Sequence, residues 1–180
     1  MKLLKIIPFI VIILFTSCGT GYEVITHDDS DGSYIVHRTK LNRVSADRDD
    51  LGSYGQISID GEFYKPKKSA DSEHSALVVS SITLPALQIQ SDRSLVISID
   101  GKTYIFSGIE SQYRAEPVEM ARNKYLLERA KFLVEKDIFK QIGSAKSVTF
   151  SVKGKDRVLN GAMSPLNISR FSSFYEDHVR

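Results

Sequence analysis

Two acidic stretches carry the side chains best placed to do chemistry. The first is His27-Asp28-Asp29-Ser30-Asp31-Gly32. Calcium wants six to eight oxygens, and an EF-type loop supplies them from alternate residues around a glycine, ending on a carboxylate. With Gly32 in the glycine position, Asp29 and Asp31 fall on ligand positions. His27 then stands where the first Asp belongs and Arg38 where the last Glu belongs, so the pattern fails at both ends. Asp28, Asp29 and Asp31 therefore make a divalent-metal candidate of irregular design, and the plainer reading is an Asx-rich hairpin turn. The second stretch holds Asp47, Asp49 and Asp50 around Arg48. Carboxylates on a flexible loop could gather around a divalent ion, and a solvated loop has the same composition.

The other reactive residue types form weaker patterns. The histidines are His27, His37, His74 and His178, and no two of them have the i,i+2 or i,i+4 spacing that puts two ligands on one element. Gly-x-Ser-x-Gly is absent, and Ser144 and Lys146 lack the Ser-x-x-Lys spacing of a nucleophile and its base. Lys65, Lys67 and Lys68, with Pro66 between them, could touch anionic headgroups, each cation near such a surface contributing about 1 kcal/mol. Asn167-Ile168-Ser169 has the form of a glycosylation acceptor.

Cys18 is the single cysteine, and its surroundings give it a role. Lys2 and Lys5 make a short basic start, and Ile6 to Phe15 is almost unbroken apolar sequence. That run is too short for a membrane span and suits the apolar core of an export signal. Phe15-Thr16-Ser17-Cys18 closes it. This resembles the lipobox of bacterial lipoproteins, which reads apolar, small, small, Cys. The resemblance implies removal of residues 1–17, a diacylglyceryl thioether on Cys18 and an acyl group on its new amino terminus. It further implies a protein held in the bacterial envelope by its lipid. Gly19 in place of the Asp that retains enterobacterial lipoproteins at the inner membrane favours the outer membrane.

Several classes are narrowed by composition. Once Cys18 carries lipid, no thiol is left for disulfides, thiol catalysis or cysteine-ligated zinc. Removing Lys2 and Lys5 takes the formal net charge from +2 to 0, because no acidic residue precedes Cys18. A neutral domain has no general electrostatic reason to bind nucleic acid. Residues 18–21 form a short tether, and 22–180 are expected to fold as one β-rich domain.

The elements that must position these groups follow from periodicity. Tyr22 to Asp28 and Ser33 to Val44 read as a hairpin around Asp-Ser-Asp-Gly. Ile57-Ser-Ile-Asp-Gly61 and Ile97-Ser-Ile-Asp-Gly101 match in five positions, and both read as hairpins using the same Asp-Gly turn. Ala76 to Leu84 is a strand that Pro85 stops. Between Glu116 and Ile142 the apolar residues spread around a helical wheel, whereas Ala130, Phe132 and Val134 alternate with charged neighbours. That predicts a strand near Lys124 to Val134, then a helix near 135–142 capped by Gly143. Val148 to Val152 is a strand, and Pro165 opens a C-terminal helix near 165–178. The expected class is α+β: mainly antiparallel, sandwich-like sheet with two helices.

Together these patterns predict a non-catalytic accessory, scaffold or adaptor with a covalent lipid on Cys18 and no other cofactor. Its partners would be the membrane and an envelope protein. The alternatives are a small-ligand or metal-binding module built on the acidic loops and, further off, a hydrolase of envelope polymer.

Overall fold

The computed structural model describes residues 22–46, 55–68, 71–83, 85–110, 113–120 and 123–180. The signal segment, Cys18 and the loop of Asp47, Asp49 and Asp50 lie outside them. The strands are β1 (Val24–Asp28), β2 (Tyr34–Thr39), β3 (Ser45–Ala46), β4 (Gln56–Pro66), β5 (His74–Thr83), β6 (Leu95–Ile99), β7 (Lys102–Phe106), β8 (Arg114–Met120), β9 (Asn123–Val134), β10 (Val148–Lys153) and β11 (Val158–Ala162). Helix α1 (Asp137–Ser144) follows β9, and α2 (Pro165–Phe174) runs into a π-helical turn, Tyr175–Val179.

The strands form two antiparallel sheets, ordered β1-β2-β4-β5-β9-β8 and β3-β11-β10-β6-β7. The expected class, α+β with a predominance of antiparallel sheet, is what the chain adopts. Alternation decides the inner faces. In the first sheet Ile57, Ile59 and Phe63 pair across to Ser81, Val79 and Ser75, and Val79 and Leu77 continue to Ala130 and Phe132. In the second, Leu95, Ile97 and Ile99 face Val152, Phe150 and Val148. One contiguous core joins these rows to Ile138, Phe139 and Ile142 of α1 and Ile168, Phe171 and Phe174 of α2.

Both the strand at Asn123–Val134 and the helix after it stand where alternation put them. Three expectations change. Arg114–Met120 is an edge strand that composition had hidden among helix-favouring residues. The second change concerns the repeated Asp-Gly. Asp100 and Gly101 make a tight hairpin loop, with φ of 48° and 87°. Asp60 and Gly61 instead lie in the middle of β4, an uninterrupted strand of 11 residues. A Cβ at Gly61 would come within 3.0 Å of the Phe174 ring, so this glycine is a seat for α2 and makes no turn.

The third change is Gly143, which lies inside α1 while the helix ends at Ser144 with Ala145 as its cap. Here α1 crosses α2 so closely that a Cβ on Gly143 would stand 2.6 Å from the Ser172 Cα. Backbone cannot yield as a flexible side-chain tip can. Gly143→Ala should therefore destabilise the fold by about 1–3 kcal/mol through overpacking, although alanine favours helices. Urea denaturation measures this, and an unchanged or raised midpoint would show that the helix crossing can open.

Candidate functional site

Three carboxylates are buried among the described residues, and each organises a different part of the surface. Glu62 of β4 is on the outer face of the six-stranded sheet, its side chain only 6% exposed. Pairing puts Arg38 of β2 opposite it, and Lys131 of β9 reaches across β5 from the same side. Lys131 Nζ is 2.7 Å from Glu62 Oε2, and Arg38 Nη1 is 3.6 Å from Oε1. The Tyr64 hydroxyl donates to Glu62 Oε2 at 2.6 Å and accepts from Lys131. Burial, followed by the Glu62 hydrogen bond, pushes the Tyr64 phenol well above its ordinary range, so it stays a neutral donor. Its ring stacks on His74, with centroids 4.2 Å apart, and Tyr34 meets His74 edge-on at 4.8 Å.

This cluster floors an open cleft of about 370 Å³ whose lining includes His27, Asp29, Val36, Lys131 and Leu133. His74 and Leu133 also border a neighbouring cleft of about 560 Å³ that reaches Phe106 and Lys136. The arrangement presents an ammonium, imidazoles and an apolar wall to solvent, which suits binding a small polar molecule.

Glu128 of β9 is fully buried on the inner side. Its carboxylate accepts from Leu87 N at 2.7 Å, Ile89 N at 3.1 Å and the Tyr113 hydroxyl at 2.8 Å. It thus clamps an irregular segment whose amides no strand satisfies, a structural use of an acid. Its signal was present in the alternation, because Glu128 shares parity with Ala130, Phe132 and Val134.

Asp60 is the third. It accepts from Thr39 Oγ1 at 3.0 Å, Asn42 N at 2.9 Å and Ser58 Oγ at 3.2 Å. These bonds hold a tight corner after β2 in which Leu41 has φ of 51°, a conformation that costs a leucine about 1–2 kcal/mol. Asn42 Oδ1 in turn accepts from Asn167 Nδ2 at 2.8 Å, and the same nitrogen donates to Arg43 O. Asn167 Oδ1 accepts from Ser164 N and Oγ, closing the capping box of α2. The residue with the form of a glycosylation acceptor is therefore buried and committed to helix capping.

The predicted site residues come together differently. Asp29 Oδ1 accepts from Tyr34 N and Asp31 Oδ1 from Ser33 N, so both organise the hairpin tip. Asp28 pairs with Lys67 at 2.8 Å, which joins the metal candidate to the headgroup candidate. Lys65 pairs with Ile35, and Lys67 N donates to Ser33 O, placing Lys65, Lys67 and Lys68 beside that same tip. Among the described residues no three His, Cys, Asp or Glu side chains are grouped to hold a metal ion.

Two outcomes follow. Glu62→Ala would leave Arg38 and Lys131 without their shared anion and should cost about 3 kcal/mol in thermal or urea unfolding, with Glu62→Gln costing less. A loss under 1 kcal/mol, roughly the value of an exposed pair, would mean solvent already screens the cluster. For Asp60, burial raises the carboxyl's pKa despite the bonds that favour the ion. A raised folded pKa contributes stability below the unfolded value of about 4 and loses it as pH rises through the folded value. The stability of Asp60→Asn relative to the parent should thus improve between pH 4 and pH 7, and a flat difference across that window would contradict it.

No family model, curated protein or solved structure matches this chain, so its function is read from its own geometry.

Proposed function

We propose that this chain is a bacterial envelope lipoprotein, anchored through a lipid on Cys18, that acts by binding and not by catalysis. The observation that carries the reading is the junction between anchor and fold. Tyr22 already packs against the core, four residues after the lipobox cysteine. Four extended residues reach at most about 14 Å, so the folded domain is held at the bilayer surface. An accessory or adaptor role is supported by the sheet edges. Strand β7 is bonded to β6 alone in its sheet and exposes Lys102, Thr103 and Ile105 along a regular hairpin. Edges of this kind accept an added strand from a partner. By contrast β3 has two residues and β8 contains Pro117, which blunts pairing.

The cleft over Glu62 and Lys131 favours a second reading, a small-ligand module. Here the ligand would enter between Tyr64, His74 and Lys131, whereas the acidic hairpin tip serves its own turn. A rise in melting temperature with millimolar calcium would restore the tip as a metal site, because a ligand that binds only the folded state stabilises it.

Cys18→Ala should abolish acylation and release the protein from the membrane fraction. Intact mass and fractionation of cells read both effects. A variant that is still correctly cleaved and membrane-bound would refute the lipoprotein reading. Crosslinking of the lipidated protein in intact cells then separates the two binding modes, since an adaptor yields a stoichiometric envelope protein and a small-ligand module does not.

A further inference from the structure

We infer that one end of the domain is a membrane-contacting surface, with Leu41, Leu166 and Ile25 resting in the headgroup region of the bilayer. The inference rests on the lipid-anchored reading above. Of the exposed large apolar residues, Leu41 is 54% exposed, Leu166 43% and Ile25 39%. All three lie where the chain enters the fold. Lys40 N donates to Glu23 O at 2.9 Å, so Leu41 is one residue beyond a direct contact with the residue after Tyr22. Ile25 is three residues from Tyr22, on the strand paired with β2. Leu166 is next to Asn167, whose amide bonds Asn42, the neighbour of Leu41. The hydrogen bonds of Asp60 and Asn42 thus present separated leucines at the end from which the tether departs.

The chemistry fits a lipid surface better than a protein groove. Leu41 borders only a small dent of about 40 Å³, lined by Ile57, Ile82 and Leu127 together with Arg43, Gln56, Ser58 and Ser80, too small to seat a partner's side chain. Lys40 is offset by Glu23 at 2.9 Å, so attraction here is chiefly apolar. A tether that reaches at most about 14 Å keeps this end close to the interface, where leucines partition favourably. The hairpin tip with Lys65, Lys67 and Lys68 is at the far end of β1, about 17 Å along a strand of five residues. Those lysines would then point away from the anchored surface.

The chain contains no tryptophan, so a single one reports its own surroundings. Leu41→Trp, Leu166→Trp and Val158→Trp would each be made in the full chain, lipidated in a bacterial host and bound to phosphatidylcholine vesicles containing brominated lipid. Val158, 45% exposed at the opposite end of β11 from the Ala162–Ser45 pair, is the control. The reporters at 41 and 166 should emit further to the blue and be quenched by bromine, in high salt as in low, while the one at 158 is unaffected. Vesicle flotation separates the failures. Protein that does not float defeats the anchored reading and this inference with it. Protein that floats with all three reporters equally unquenched defeats the docking surface alone. Hydrogen exchange on the unsubstituted lipidated chain gives a second test that no variant can spoil. Amides of residues 40–43 should exchange more slowly on vesicles than in the soluble Cys18→Ala protein, and equal rates would overturn the inference.

Discussion

The Asp60 carboxylate is the constraint on which one end of this molecule depends. It lies in the middle of a strand, where an acid is costly unless its oxygens are filled. Thr39, Asn42 and Ser58 fill them, and in doing so fix the corner by which the chain leaves β2. The Thr39 hydroxyl also accepts from Gly61 N, which binds that corner to β4. Asn42, once fixed, receives Asn167, which closes the capping box of α2 with Ser164. A bond made within the sheet therefore sets where the last helix begins, and Gly61 lets Phe174 settle directly on the strand beneath.

The other two buried acids divide the remaining surface between structure and use. Glu128 faces inward and has backbone amides as partners, so its energy goes into holding the irregular Leu87–Ile89 segment against the sheet. Glu62 faces outward and has the side-chain cations of Arg38 and Lys131 as partners. A carboxylate paired in this way is weak evidence for stability, because desolvation offsets much of the attraction. Its consequence here is geometric. Lys131, Tyr64 and His74 are held in fixed relation at the floor of an open cleft, the arrangement expected of a binding surface.

Under the proposed anchoring, tether and fold would constrain one another. A short tether would give the domain little freedom to turn and would bring whatever lies beside Tyr22 to the lipid surface. The cleft opens on the outer face of the six-stranded sheet and is bordered by the hairpin tip residues Asp29 and Ser30, at the distal end of β1. Anchoring by residues near Tyr22 would leave that cleft turned towards solvent and accessible to a ligand or partner.

By itself the sequence determined the antiparallel character of the fold, the long strand at Asn123–Val134 and the two helices. These depend on local periodicity, which a chain carries whatever packs against it. It also contained the distinction between its two Asp-Gly pairs. Ile57, Ile59, Gly61 and Phe63 keep one parity, as a continuous strand requires, whereas Ile97 and Ile99 give way to Tyr104 and Phe106, the change of parity that a two-residue turn imposes. Turn composition outweighed that signal. Tertiary structure alone decided the rest. Glu62, Arg38 and Lys131 are far apart in the chain and meet because β4 pairs with β2 on one side and lies a single strand from β9 on the other. Gly143 looked like a cap until the crossing of α2 gave it a neighbour. Strand order and helix crossing arise from burying faces against distant partners, and no local pattern encodes which partner that will be.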